Sequence, residues 1–133
     1  MIETDSLALM AEKVSGFFSA EVAINIDTLE VKKRRTIEAQ KTSNLYVSWS
    51  LDLTVSFRLF SDSREAVNEA VVFLLPEELP IFTQALMQHP ILFPTNYSQH
   101  LSMERGMYCI RLKSQEPSEG FAERLSEALY VLG

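Results

Sequence analysis

Residues 46–60 read YVSWSLDLTVSFRLF, and apolar residues occupy every second position from Val47 to Leu59. A period of two is the side-chain period of a β-strand, whereas a helix repeats every 3.6 residues. The stretch therefore predicts one long strand that buries one face and wets the other, as strands of antiparallel sheets do. At about 3.3 Å per residue the strand would be roughly 45 Å long, so it must bend or extend beyond its own domain.

Two segments before this strand also alternate. Apolar residues at positions 22, 24 and 26 predict a half-buried strand, after which Asp27-Thr28 can turn the chain. Residues 29–43 begin a second alternation, which four consecutive basic residues interrupt at Lys32 to Arg35. We interpret this segment as a strand with a solvated basic stretch.

Three segments have helical spacing. Residues 6–19 place apolar side chains on one face behind Asp5 or Ser6, either of which can cap a first turn. Pro80 suits the first turn of a second helix, which Pro90 ends. The third begins at Pro117-Ser118. Its apolar face comprises Phe121, Leu125, Ala128, Leu129 and Leu132, opposite Glu123, Arg124, Ser126 and Glu127.

The remaining segments are less regular. Residues 62–75 fit a helix by their capping pattern and a strand by their β-branched residues, and we favour a strand from about Glu69 to Leu75. Residues 108–112 alternate as a strand after a turn at Arg105-Gly106, and the apolar residues 91–93 leave room for one more.

These elements predict a single α+β domain over residues 1–133. An antiparallel sheet of about five strands packs against helices, in the order α-β-β-β-α-β-β-α. The chain has no internal repeat, low-complexity tract or linker that would mark a domain boundary.

The amino-acid composition limits which partners the protein can bind and in which cell compartment it can act. Twelve basic and eighteen acidic residues give a net charge of −6, which disfavours nucleic acid and anionic membranes. The single cysteine, Cys109, cannot form an internal disulfide. Neither a basic, apolar secretory leader nor an apolar run long enough to cross a bilayer is present. We therefore expect a soluble protein of the cytoplasm that does not insert into membranes.

No motif for catalysis or metal binding is recognisable. His89, His100 and Cys109 lack the close pairing of zinc ligands, and no G-x-S-x-G turn exposes a serine. The four glycines stand alone, so no phosphate-binding loop is present. We predict no catalytic residue, no cofactor and no metal. An enzyme of unrecognised type would need a cluster of titratable residues in one cleft.

Two features are candidate partner contacts. Lys32, Lys33, Arg34 and Arg35 could touch phosphate, lipid headgroups or an acidic segment of another protein. The interpretation that we favour is a charged strand edge or loop that discourages edge-to-edge aggregation. Tyr46 and Phe60 fall on the otherwise polar face of the long strand. They are either exposed aromatic contacts or strand ends that fold back onto the body.

The order of elements resembles that of the small type III secretion chaperones of bacteria. The matching segments are the N-terminal amphipathic helix, three antiparallel strands, the helix at Pro80–Leu86, the segment Ile91–Pro94, the strand at Met107–Leu112 and the closing helix at Gly120–Leu125. The resemblance implies a dimeric, cytoplasmic chaperone that escorts another protein and binds it as an extended segment. The long strand and the basic run depart from the family's pattern.

The leading hypothesis is a non-enzymatic chaperone or adaptor that binds an extended segment of a partner protein at a sheet edge. The alternative is a regulatory or sensory domain that binds a small ligand between sheet and helix.

Overall fold

The computed structural model describes residues 4–25, 28–42, 45–59 and 65–132. Side chains are not described for residues 4–7, 38–42, 45–47 and 49 within these ranges. The described part of the chain forms the helices α1 (Thr4–Phe18), α2 (Leu79–Met87) and α3 (Ser118–Tyr130), and the strands β1 (Val22–Asn25), β2 (Thr28–Thr42), β3 (Leu45–Leu59), β4 (Glu65–Leu74), β5 (Ser98–Glu104) and β6 (Met107–Pro117).

The strands form one sheet in the order β1-β2-β3-β4-β6-β5, and every neighbouring pair is antiparallel. The predicted α+β class is therefore confirmed, with six strands rather than about five. The ambiguous segment before α2 is the strand β4, in which every second residue from Ala66 to Leu74 is buried. Strand propensity and the neighbouring β3 outweigh the helical capping pattern there.

The helices pack on one face of the sheet, where the described residues form an apolar core. β2 contributes Leu29 and Val31, and β3 contributes Val55 and Phe57. The ring of Phe57 meets Phe121 of α3 edge to face, with centroids 6.0 Å apart. The alternating residues of these strands point away from the helices and are largely exposed or half-buried, so the long alternation has the predicted inside and outside.

The last hairpin turns at Arg105-Gly106, as predicted. Both residues have positive φ, 54° and 79°, which is the conformation that a two-residue hairpin turn requires. The strand before this turn, β5, is a sheet edge and is exposed along almost its whole length. It therefore lacks the apolar alternation that would have predicted it, whereas residues 91–93 lie in an irregular connection.

Within the described ranges, no helix has the length and apolar character needed to cross a bilayer.

Candidate functional site

β2 and β3 extend well beyond their neighbours. They pair with each other along nearly their full length, but β1 pairs only with residues 28–31 of β2, and β4 only with residues 53–59 of β3. Residues 32–42 and 45–52 therefore form a two-stranded extension, which we call the arm. No other described strand pairs with either of its edges. The predicted long strand is accommodated because residues 45–52 extend, together with β2, beyond the rest of the sheet.

Arg35 occupies the point where β3 and β4 separate. Its two terminal nitrogens donate to the two carboxylate oxygens of Glu78, at 2.8 Å and 3.0 Å, and one of them also donates to the Phe73 carbonyl oxygen at 3.2 Å. The Leu75 amide donates to the same carboxylate at 2.9 Å. A guanidinium thus satisfies a backbone carbonyl that lies beyond the end of the β3–β4 pairing, and it ties the arm to the turn before α2.

The charge on Glu78 is favoured by these contacts. Burial raises the pKa of its carboxyl, but the hydrogen bonds from Arg35 and from the Leu75 amide, together with the Arg35 charge, lower it more. The net pKa lies below its ordinary value. The ion pair at the base of the arm is therefore intact at neutral pH.

The Arg35 contact also shows which way the backbone of the arm faces. The Phe73 carbonyl oxygen that it reaches faces β3, and the β3–β4 register, continued by one residue, puts Phe73 opposite Asp52. The N–H and C=O of one strand residue point to the same side, and every second residue shares that direction. The backbone groups of Asp52, Ser50 and Ser48 therefore point to the free edge of β3.

The backbone groups of the residues between these three point towards β2 and join the two strands of the arm. Leu51 pairs with Arg35 in the β2–β3 register, so their backbone groups bond across the arm. By the same alternation the backbone groups of Arg34 and Thr36 point to the free edge of β2. The arm thus offers two rows of hydrogen-bonding groups that face in opposite directions.

The predicted basic cluster splits between the two faces of the sheet. Lys33 and Arg35 lie on the helix face, and the Lys33 ammonium donates to the Phe18 carbonyl oxygen at 2.9 Å. The Lys33 charge stabilises the negative C-terminal end of the α1 dipole. The last turn of α1 has no basic residue of its own that could do so. Lys32 and Arg34 lie on the open face. The interpretation of a charged, solvated strand applies to these two and to Lys33, which is exposed, whereas Arg35 is half-buried.

The two outward-facing cations have acidic neighbours, of which Glu30 is half-buried and Asp52 is exposed. Lys32 lies 3.2 Å from Glu30, and the Arg34 side chain donates to Asp52 at 2.8 Å. The pKa of Arg34 is raised by this hydrogen bond and by the charge of Asp52. Exposed pairs of this kind contribute little to stability, so these residues are available to a partner.

The two predicted aromatic contacts are only partly located. The backbone of Tyr46 lies in β3, opposite Gln40 near the tip of the arm, and its side chain is not described. Phe60 lies outside the described residues.

An open groove of about 330 Å³ lies at the base of the arm, between the C-terminal ends of α1 and α3. Its floor is formed by the arm and the sheet, and its walls by the helix ends. The residues that define it here are Phe17, Lys33, Arg35, Leu53, Leu129 and Tyr130. No sequence pattern predicted it, because the segments that meet there are far apart in the chain.

A buried polar cluster lies between β4, β6 and α3. Arg124, only 1% exposed, donates to the two carboxylate oxygens of Glu116 at 3.0 Å and 2.5 Å. Ser114 donates to the same carboxylate, and the Asn68 amide donates to the Glu116 carbonyl oxygen at 3.0 Å. The guanidinium also lies 4.4 Å from the centroid of the Phe93 ring.

This cluster corrects the prediction that Arg124 lies on the polar face of α3. The residue is three positions after Phe121 and one before Leu125, which places it within the buried stripe of the helix. Glu116 is only 8% exposed, so the pair is enclosed on both sides. We interpret the cluster as structural, since it is closed to a substrate and its two charges neutralise each other.

The other candidate residues are separate. His89 lies in the connection after α2, where its ring accepts from the Ile91 amide and contacts the carboxylate of Glu127. His100 is exposed on β5, and Cys109 is buried in β6. Burial raises the pKa of the Cys109 thiol, which lowers its reactivity. Among the described residues, no three potential ligands come together as a metal site would require.

The fold and the site together define a class: an α+β protein with helices on one face of an antiparallel sheet and a two-stranded arm that extends from it. No family model, curated protein or solved structure matches the chain.

Proposed function

We propose that this protein is a non-enzymatic chaperone or adaptor that binds an extended segment of a partner protein along the free edge of β3 on the arm. The observation that carries the proposal is the length of β3 that is paired on one side only, residues 45–52. An added strand would obtain main-chain hydrogen bonds from this edge, and side-chain contacts would supply specificity. The resemblance to type III secretion chaperones implies binding of an extended segment, and we propose that the protein acts in the cytoplasm.

Side chains around the edge fit this role. Ser48, Ser50 and Asp52 are exposed and small enough to leave the backbone accessible. Lys32 and Arg34, on the same open face, would meet acidic residues of the segment, and Tyr46 and Phe60 are the proposed aromatic contacts. Net repulsion by the acidic body would be offset locally by these cations.

The test uses two substitutions at one position. Ser50→Pro removes a backbone donor that faces the free edge and leaves the hydrogen bonds between β2 and β3 intact. Ser50→Ala removes the same hydroxyl and keeps the donor. With the tagged full-length protein expressed in its native host, we expect wild type and Ser50→Ala to recover the same partner and Ser50→Pro to lose it.

Thermal unfolding of each variant would verify that the fold is retained. Recovery of the partner by Ser50→Pro at the wild-type level would show that the β3 edge is not used, and the proposal would then be wrong.

A second candidate, a regulatory domain that binds a small ligand, is favoured by the groove at the base of the arm. Its volume of about 330 Å³ is at the lower end of ligand sites. A ligand that binds only the folded state raises the melting temperature by mass action. A rise with one member of a metabolite panel, lost in the groove variant Phe17→Ala, would support this candidate over the first.

A further inference from the structure

The groove at the base of the arm combines apolar walls with hydrogen-bond donors. Phe17 and Leu129 are half-buried on its walls, and the Tyr130 side chain is 86% exposed on its rim. On its floor Lys33 uses one of three ammonium donors, for the Phe18 carbonyl oxygen. Arg35 is bound to Glu78 and Phe73 through its terminal nitrogens. The groove therefore combines an apolar lining with two Lys33 ammonium donors that are available to a bound molecule.

The charge balance at this place is positive. Arg35 is neutralised by Glu78, and Asp52, which also lines the groove, is neutralised by Arg34. None of the described carboxylates forms an ion pair with Lys33, so one positive charge is left over. The chain as a whole has a net charge of −6. A positive site with apolar walls in an acidic protein is complementary to an apolar group that lies beside a carboxylate.

The shape of the groove indicates which kind of molecule carries the apolar group that would bind there. A small ligand is usually enclosed on most of its surface, whereas this groove is open along its rim. It is also continuous with the arm, since Lys33, Arg35 and Asp52 belong to both. A segment laid along the arm could thus place one side chain in the groove without leaving the surface.

We propose that the groove is the specificity site of the bound segment and takes an aromatic or large aliphatic side chain that is flanked by an acidic residue. This inference rests on the proposed function, because it assumes that the occupant is part of an extended protein segment. Apolar contact with Phe17, Leu53 and Leu129 would hold the side chain, and the free Lys33 donors would bind the neighbouring carboxylate.

The experiment uses three fluorescein-labelled decapeptides with the same threonine-rich frame, titrated with the full-length protein by fluorescence anisotropy. The first has a central phenylalanine flanked by two aspartates, the second replaces the aspartates with lysines, and the third replaces the phenylalanine with alanine. We expect the first to bind at least about tenfold more tightly than the third, because the ring is buried. It should also bind roughly fivefold more tightly than the second.

Two lysine variants locate the charge effect. Lys33→Gln keeps a donor for the Phe18 carbonyl oxygen and removes the charge, so it should abolish the preference for aspartate over lysine. Lys113→Gln, at an exposed lysine of β6 that pairs with Glu69, is the matched control and should leave the preference unchanged. Melting temperatures within a few degrees of wild type would show that both variants fold.

The possible results distinguish the groove inference from the proposed binding of a segment at the β3 edge. If Ser50→Pro weakens all three peptides while Lys33→Gln and the phenylalanine have no effect, segment binding stands and the groove inference is overturned. It is also overturned if none of the peptides binds, or if free 4-phenylbutyrate displaces the first peptide at equal concentration, which would indicate a small-ligand site.

Discussion

Arg124 shows what a buried charge requires of its neighbours. Both members of the Arg124–Glu116 pair are buried, so each depends on the other for polar contacts. Glu116 also accepts from the Ser114 hydroxyl, and Arg124 also donates to the Leu92 carbonyl oxygen. Such a pair can add little to stability compared with apolar residues of the same volume, yet removing one member leaves the other buried and uncompensated.

We predict that Arg124→Met lowers the free energy of unfolding by about 3–5 kcal/mol, because the Glu116 carboxylate then has no cation. Urea denaturation measures the change. Arg111→Met, at an exposed arginine of β6, is the matched control and should cost no more than about 0.5 kcal/mol. The double variant Arg124→Met/Glu116→Leu should recover most of the loss, and no recovery would contradict this account of the pair.

A pH-dependent contribution is expected from Glu78. Its folded pKa lies below the unfolded value of about 4.3, so its stabilising effect is complete above that value and is lost as the pH falls through the folded pKa. At pH 7, Glu78→Gln should lower the free energy of unfolding by about 1.5–3 kcal/mol, which is typical of hydrogen bonds to a charged group.

The difference between wild type and Glu78→Gln should shrink below about pH 4.3 and approach zero once the folded carboxyl is protonated. Urea denaturation at a series of pH values measures it. Glu77→Gln, at the exposed neighbouring position, is the control at pH 7. A difference that grows as the pH falls would contradict the assigned direction of the pKa.

At the scale of elements, the arm has an alternating pattern of backbone exposure. The amides of Ser48, Ser50 and Asp52 face the free edge, whereas those of Trp49 and Leu51 bond to β2. Hydrogen exchange by NMR should therefore show fast exchange at the first three and slower exchange at the other two. On partner binding the first three should become protected. Equal exchange at all five positions would rule out the assigned backbone direction.

The β5–β6 turn is a second element whose residues can be tested. Gly106 has a φ of 79°, where a Cβ is strained, so Gly106→Ala should lower the free energy of unfolding by about 1–2 kcal/mol. Arg105, with a φ of 54°, is in a conformation that asparagine tolerates better, and Arg105→Asn should raise stability. Thermal unfolding measures both. Gly16→Ala, in a helix with open space around it, is the control and should raise stability, because alanine favours the helix.

The whole molecule is proposed to be a homodimer, and the arm offers a surface for it. Because the edges of β2 and β3 face opposite ways, two copies could pair their β2 edges while each β3 edge takes a partner segment. Such a pairing is symmetric, as most homodimers are. Light scattering should then give twice the 15.1 kDa of one chain.

Thr36→Pro and Ser50→Pro distinguish the two edges, since these residues lie directly opposite each other and face outward on different sides. The first should give monomers, and the second should keep the dimer and lose the partner. A wild-type protein that is monomeric at all concentrations would contradict the dimer.

The sequence predicted the elements with the strongest periodicity and missed what depends on distant contacts. The alternation around Trp49 identified β3, because a period of two over many residues has few alternatives. β5 was missed because both of its faces are wet, and Arg124 was misplaced because a charge in an apolar stripe is explained only by Glu116 from another element.

The candidate site was likewise only partly predictable. A long strand with one wet face was predicted from residues 46–60, and an available edge was inferred from it. The groove was not, since Phe17 and Tyr130 come from opposite ends of the chain and meet only after folding. The division of the basic run between two faces required the register of β2 against β3.

The contact between Phe57 and Phe121 has a consequence for the newly made chain. The first ring leaves the ribosome 64 residues ahead of the second, a count that follows from 121 − 57. At ordinary rates of translation that interval is on the order of several seconds. During this time β2 and β3 can pair within microseconds, but α3 is not yet available to cover their apolar side. The nascent protein therefore passes through a stage in which the apolar side of β3 is exposed and prone to aggregate.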